Sequence, residues 1–397
     1  MIDSPRQVIR FAFAARPGKA VALCALTFLI GCGGSDVVSP APPPPPPLPP
    51  FTRIVDSVRG AYGLPAMAGA IVTRDGGLVE AAAAGVRRAG FSVPVTVDDR
   101  WHIGSNTKAM TAALGAIAVK RGAMTWTTTV TQAFPELAGA IRAEYHDVTL
   151  EDLLSHRAGI QRDAPASAYG DALTARDQRD LISAWGLAAP PIGPRGSYSY
   201  SNVGYVIAGA MIERALSGTY ENLLVSELAN PVGATHIVFG PAPAGSSDDP
   251  VGHYYQNGLW VPCEGCDNPP GYSSAGRVRL PIGDWARIIQ ELLKADAGTS
   301  TLIDPADGRR LFTAAVAIPG STDSYGLGWL ITFRSWGGRT AAHDGSNTLN
   351  HSVAWVGLDT GIALLAATNA ADLTTGRTGQ ALDALVSRML RYYQEGR

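Results

Sequence analysis

Strand-forming segments sit at the two ends of this chain and helix-forming segments fill the middle, so any sheet it builds is discontinuous in sequence. A helical stretch over 51–62 leads into a β-type run at 66–74, a turn at Asp75-Gly76-Gly77 and a second run at 78–85. Two strands need further partners. Those come only near the other end, at 326–333, 340–343, 351–356 and 362–368, followed by an amphipathic helix over 380–393. Helical pieces at 150–154, 177–185, 203–215 and 220–228 lie between, separated by loops rich in Gly and Pro. The pattern predicts an α/β (α+β) fold. An antiparallel sheet flanked by helices is built from 51–124 and 286–397, with a mainly helical domain, 125–285, inserted. Clefts between such parts are favoured places for a site.

The first 50 residues are of another kind. Arg6, Arg10, Arg16 and Lys19 precede an apolar run over 20–30, which is short for a bilayer span and right for a signal peptide. The run ends in Leu29-Ile30-Gly31-Cys32, which resembles the lipobox of bacterial lipoproteins; the expectation is a signal peptide over 1–31 and a lipid on Cys32, with an ordinary secretory signal or an uncleaved anchor as the alternatives. Nine of the eleven residues 40–50 are proline, so 32–50 reads as a tether. Its proline segment would reach about 34 Å at about 3.1 Å per residue. These signals place the mature chain in the bacterial envelope, anchored to a membrane and facing the periplasm. With a formal net charge of −2 and no basic motif, a nucleic-acid partner is not expected. Of the four cysteines, Cys24 leaves with the signal peptide and Cys32 takes the lipid. Cys263 and Cys266 remain, and in an exported chain they suit a small disulfide loop, with free thiols or zinc as the alternatives; no second ligand pair lies near them, and His253 alone is not enough.

Ser105-Asn106-Thr107-Lys108 carries the chemistry, because it opens an apolar helix that runs to Arg121-Gly122. Residues three apart share a helix face, so the Lys108 amine can reach the Ser105 hydroxyl. Lysine is a rare choice here, four residues against 28 arginines. A desolvated lysine can lose its proton at working pH and arginine cannot, which is what a base needs. The bland alternative is a helix capped by Ser105 beside a solvated Lys108. Gly345-Ser346-Asn347-Thr348 repeats the first residues of this stretch but ends in Leu349, so it has no base.

With these residues in view, the chain resembles the serine β-lactamase and penicillin-binding-protein superfamily, in the class C-like branch that holds D-alanyl-D-alanine carboxypeptidases and β-lactamase-fold esterases. The resemblance covers 51–395. Its second motif is Tyr, any residue, Asn, and three stretches fit: Tyr200-Ser201-Asn202, Tyr220-Glu221-Asn222 and Tyr255-Gln256-Asn257. The first has the family context, between Pro194-Arg195-Gly196 and Val203-Gly204-Tyr205; Tyr220 opens a helix and Asn257-Gly258 reads as a turn. The third motif is matched by His343-Asp344-Gly345-Ser346, with Trp336-Gly337-Gly338 a weaker rival.

The resemblance implies acyl transfer. Ser105 attacks a carbonyl, Lys108 and Tyr200 share the proton work, Asn202 positions the substrate amide, and the N–H groups of Ser105 and Ser346 bind the oxyanion. Gly345 lets substrate approach the strand, and His343 faces the substrate. Which of Lys108 and Tyr200 takes the serine proton stays open. The stretches 153–159 and Ser274-Ala275-Gly276 leading to Asp284 are read as folding elements. No metal or other cofactor is called for, and no dinucleotide or P-loop pattern is present. Histidine, only partly charged near neutrality, replaces the family's lysine at 343. The expected substrates are therefore peptides or esters, D-alanyl cell-wall peptides among them, ahead of β-lactams. A catalytically weak module that binds or senses cell-wall peptides is the alternative of another class.

Overall fold

The computed structural model describes residues 50–170, 174–245, 248–372 and 374–396. The expected signal peptide over 1–31, Cys32 and all but the last residue of the expected tether lie outside the described residues.

Eight strands form the main sheet: β1 (Ala66–Thr73), β2 (Gly77–Gly85), β3 (Val316–Ala317), β4 (Ser324–Tyr325), β5 (Leu330–Arg334), β6 (Gly338–Ser346), β7 (His351–Gly357) and β8 (Ile362–Thr368). Their order is β2-β1-β8-β7-β6-β5-β4-β3, and every neighbouring pair is antiparallel. The N-terminal hairpin thus joins the C-terminal strands through β1 and β8, from Met67 opposite Thr368 to Thr73 opposite Ile362.

The two faces of this sheet alternate in sequence, as the period of a strand requires. Met67 and Ile71 of β1, with Leu364 and Ala366 of β8, pack under the helices Pro50–Ala61 and Arg377–Gln394. Ala66, Ala68, Ala70 and Val72, with Ala363, Leu365 and Ala367, pack on the opposite side against the helix Ile282–Ala297. Strands covered on both faces must be apolar throughout, which is why β1 and β8 read as unbroken apolar runs. The second hydrophobic cluster continues without a break into the helical part through Leu114, Ile207 and Met211.

Helices of that part include Leu150–Leu154, Ala175–Ala188, Asn202–Leu216 and Tyr220–Leu223, the last passing into a π-helical turn, Leu224–Ala229. Asn202–Leu216 is buried from Val203 through Glu213, and it packs beside Thr107–Lys120, itself buried from Thr107 through Ala118. A three-stranded sheet of Trp101–His102, Val278–Leu280 and Val238–Phe239 stands at the head of Thr107–Lys120.

One predicted strand differs. Only Leu330–Arg334 of the 326–333 stretch is extended, because Gly326 to Trp329 bend back on themselves with the Gly326 N–H donating to the Trp329 carbonyl at 2.7 Å. The predicted strand at 340–343 grows in both directions, to Gly338–Ser346.

Candidate active site

Ser105 lies in a 3-10 turn, Gly104–Asn106, that runs straight into the helix Thr107–Lys120. No side chain caps this helix, so Ser105 is not its cap. The turn is fixed from several sides. The Ile103 N–H donates to the Val278 carbonyl at 3.1 Å, and the Ile103 carbonyl accepts from the Ser352 hydroxyl at 2.8 Å. That hydroxyl accepts in turn from the Asn106 amide at 2.9 Å.

The end of β6 lies directly against this turn. Gly104 has a φ of +52°, and a Cβ on it would lie 2.5 Å from the Ser346 nitrogen. A Cβ on Gly345 would lie 2.1 Å from the Ile103 carbonyl oxygen. Glycine at 345 therefore makes room for the turn that carries Ser105.

Lys108 has no solvent exposure. Its Nζ lies 2.9 Å from Ser105 Oγ, 2.7 Å from Asn202 Oδ1 and 2.6 Å from the Ala275 carbonyl. The Asn202 amide nitrogen donates to Asp163 Oδ1 at 2.8 Å, which fixes its oxygen towards the lysine. Two of the three neighbours are thus pure acceptors and take two N–H bonds. Burial holds the Lys108 amine well below its ordinary value of 10.5; Asp163 opposes that shift and Arg162 adds to it. A neutral amine in this frame keeps its lone pair for the third neighbour, the Ser105 hydroxyl.

Tyr200 lies beside the same pair, its ring centre 5.0 Å from Lys108 Nζ and its phenol close enough to Ser105 to feel the serine side chain. Burial pushes its phenol well above 10, with Ser105 acting in the lowering direction. Ser201, between Tyr200 and Asn202, caps the helix Asn202–Leu216 by accepting from the Gly204 N–H at 2.8 Å. The Tyr200 ring lies 4.2 Å, centroid to centroid, from that of His156, with Lys108 Nζ at 5.0 Å and Arg162 Cζ at 5.2 Å from its centre.

His343 is buried and both its nitrogens are engaged. Nδ1 lies 2.7 Å from the Asp344 carbonyl and so carries the proton, leaving Nε2 to accept from the Tyr325 hydroxyl at 2.8 Å. Burial first, then the nearby Lys108, lowers the imidazole to about 4, so it is neutral near pH 7. The ring braces Tyr325, whereas the sequence suggested a group facing the substrate.

The two other Tyr-x-Asn matches lie elsewhere. Tyr220 is buried, with its hydroxyl 2.7 Å from Oγ1 of Thr111 in the helix Thr107–Lys120. Tyr255 lies in the hairpin strand His253–Gln256, where Asn257 and Gly258 make the turn at φ of +51° and +83°. Cys263 and Cys266 form a disulfide. His253 donates to the Asn369 carbonyl at 2.7 Å and accepts from the Ala89 N–H at 2.9 Å, a structural role.

Two stretches read as folding elements reach the site. Ala275 supplies the carbonyl on Lys108, and a backbone oxygen leaves no mark in the residue type. His156 adopts a φ of +59° and accepts from the Ser201 N–H at 3.1 Å, placing its ring under Tyr200. Strained non-glycine backbone of this kind clusters at functional sites.

This sheet, with Ser105 and Lys108 at a buried helix start and Tyr200 beside them, defines the serine β-lactamase and penicillin-binding class of fold. The family model "Beta-lactamase" matches residues 51–387, and the chain belongs to that family. Among curated relatives, Penicillin-binding protein 4 of Amycolatopsis lactamdurans is 28% identical over 298 residues, covering 73% of this chain and 74% of that protein. The D-alanyl-D-alanine-carboxypeptidase/endopeptidase AmpH of Escherichia coli is 25% identical over 286 residues, 68% of this chain and 70% of AmpH. Unguisins hydrolase ungD' of Aspergillus campestris is 25% identical over 350 residues; these span 83% of this chain but only 61% of the fungal protein. A D-amino acid amidase from Ochrobactrum anthropi, solved with L-phenylalanine amide, matches in structure with a TM-score of 0.68 at 21% identity, covering 86% of this chain and 98% of the amidase. No helix among the described residues is long and apolar enough to cross a membrane.

Proposed function

We propose that the protein is a serine hydrolase working through an acyl-enzyme on peptide or ester substrates, with D-alanyl peptides among them. One observation carries the reading: the buried Lys108 Nζ lies 2.9 Å from Ser105 Oγ, while Asn202 Oδ1 at 2.7 Å and the Ala275 carbonyl at 2.6 Å take two of its N–H bonds, so the amine once deprotonated has the serine hydroxyl as its remaining partner. The serine proton passes to Lys108 as Oγ bonds to the substrate carbonyl carbon. The backbone N–H groups of Ser105 and Ser346 receive the oxyanion. As the tetrahedral intermediate collapses, the leaving amine or alkoxide takes a proton from the Tyr200 hydroxyl, which is replenished from Lys108. Water, deprotonated at the same amine, then releases the acyl group and returns the proton to Ser105. Between the two candidate bases, the opposite shifts of the two groups favour Lys108: burial holds the amine down and the phenol up. Asn202, engaged by Lys108 and Asp163, acts first as the clamp on the base.

The names of the relatives, a carboxypeptidase/endopeptidase and an amidase, support amide and peptide substrates. The neutral, fully engaged His343 supports the same order, since it offers no charge to a β-lactam carboxylate. A panel of a short-chain aryl ester, a D-alanyl-D-alanine peptide and a chromogenic cephalosporin, with Ser105→Ala as blank, tests the reading. Ester or peptide turnover above cephalosporin turnover, lost in the variant, is expected. Penicillin labelling of Ser105 without turnover of any substrate would overturn it in favour of a binding module.

The envelope location belongs to the same reading. Cleavage before Cys32 and a lipid on that residue would hold the protein in the membrane fraction, and Cys32→Ser would release it or leave the precursor unprocessed.

A further inference from the structure

Asp267 has no part in the chemistry above, yet its carboxylate is 1% exposed and carries four hydrogen bonds. Oδ2 accepts from His102 Nε2 at 3.1 Å and from Arg277 Nε at 3.3 Å. Oδ1 accepts from the Asn347 amide at 2.9 Å and from the Asn268 N–H at 2.8 Å. Burial alone would raise this acid, but His102, Arg277 and Asn347 together hold it below the usual aspartate range.

Two of those partners lead to the reaction site. His102 Nδ1 accepts from the Gly104 N–H at 3.1 Å, so the ring proton sits on Nε2 and points at Asp267. Gly104 is the residue before Ser105. On the other arm, Asn347 is the residue after Ser346, and its side-chain oxygen accepts from the N–H groups of Leu349 at 3.2 Å and Asn350 at 2.9 Å. One buried carboxylate is therefore bonded to both segments whose backbone N–H groups face the developing oxyanion.

The position of Asp267 is itself clamped. It follows Cys266, whose disulfide to Cys263 closes a loop of four residues, and the Cys263 N–H donates to the Gly252 carbonyl at 2.9 Å. Cys263, Cys266 and His102 line one small cavity together.

We propose that Asp267 is a positioning residue for the oxyanion site, setting the Gly104–Ser105 turn and the Ser346–Asn347 strand end in mutual register, with the Cys263–Cys266 disulfide as its clamp. The inference rests on the oxyanion role given above to Ser105 and Ser346. Misplacement of a catalytic group by about 1 Å costs about 100-fold in rate, and loss of one oxyanion donor about 100- to 1,000-fold.

The test pairs an aryl ester with its thionoester. Sulfur accepts hydrogen bonds poorly, so a working oxyanion site favours the oxygen ester, and a displaced one loses that preference. Asp267→Asn is expected to lower kcat for the ester by about 10- to 100-fold with KM little changed, and to bring the ester and thionoester rates closer together. Asn347→Ala, which cuts one arm, and the double variant Cys263→Ser/Cys266→Ser should move the ratio in the same direction by less. Asn347→Ala decides the matter if Asp267→Asn does not fold. An unchanged ester-to-thionoester ratio in variants with a normal thermal melt would overturn the proposal, as would a wild type that shows no preference between the two esters. Failure of the hydrolase reading shows differently, as turnover that survives Ser105→Ala.

Discussion

Gly104-Ser105-Asn106-Thr107 and Gly345-Ser346-Asn347-Thr348 are the same four residues in two different structures, packed against each other. The first begins at a φ of +52° and winds into a 3-10 turn and a helix. The second ends strand β6, with Gly345 opposite Ser352 and Ser346 opposite His351, before Thr348 turns the chain at a φ of +72°. Their hydroxyls have different fates. Ser105 Oγ meets Lys108 and Tyr200, whereas Ser346 Oγ donates to the Asn350 carbonyl at 2.8 Å and accepts from the Thr348 N–H at 3.0 Å. What separates the two serines is thus the fifth position, Lys108 against Leu349, and the surface each segment packs on; on the mechanism proposed above, the first becomes the nucleophile and the second a turn residue.

The sharpest way to break this comparison is to remove each hydroxyl in turn. Ser105→Ala should lower turnover by several orders of magnitude with a normal melt. Ser346→Ala, which keeps its backbone N–H, should stay within about tenfold. Similar losses in the two variants would contradict the assignment.

Tyr200→Phe comes next, with an expected loss of about 100-fold or more in kcat, within the range for a positioned acid or base. Tyr220→Phe removes the bond to Thr111 and Tyr255→Phe alters a distant hairpin, so their rates should remain near wild type, with only the melting point of the former lowered. Equal losses at all three positions would mean that the second motif lies elsewhere.

Gly345→Ala tests the contact between the two segments themselves. The new Cβ meets backbone at 2.1 Å with no flexible side chain to give way, so a loss of about 3 kcal/mol or more is expected in denaturant unfolding, at the upper end for overpacking. Gly345→Ala with unchanged stability would show that the turn and the strand are not so closely apposed.

The smallest effect expected is one of pH on stability. The folded-state imidazole of His343 is lowered to about 4 from 6.5, so the unfolded chain takes up its proton first as pH falls. Its contribution is complete above pH 6.5 and is lost as pH drops towards 4, roughly 3 kcal/mol at the limit. His343→Gln should flatten that part of the stability-against-pH curve. Loss of stability in the opposite direction, as pH rises through neutrality, would contradict the burial of a neutral ring.

Much of the sheet was legible because β1, β2, β7 and β8 are covered on both faces or form a clear hairpin, and their apolar runs end at turns. The bend from Gly326 to Trp329 was not, since nothing in its local pattern distinguishes a bend from the strand that follows. That Ser105, Lys108 and Tyr200 come together in the fold was legible from spacing and context. The Ala275 carbonyl could not be read, because any residue supplies one, and neither could the packing of Gly345 against the Ile103 carbonyl, which only the fold brings together. Asp267 bears no motif; its importance depends on His102 and Asn347, which are far from it in sequence and meet only in the fold.

The central claim is that Lys108 is a neutral amine facing Ser105, and lysine-specific NMR titration tests it directly. The chain has four lysines, so the Lys108 side-chain signal can be assigned by its absence in Lys108→Arg. This amine is expected to lose its proton well below 10.5, kcat/KM to rise with pH through the same transition, and Lys108→Arg to be nearly as inactive as Lys108→Ala. A Lys108 amine that stays protonated up to its ordinary range while the enzyme is fully active at neutral pH would contradict the claim.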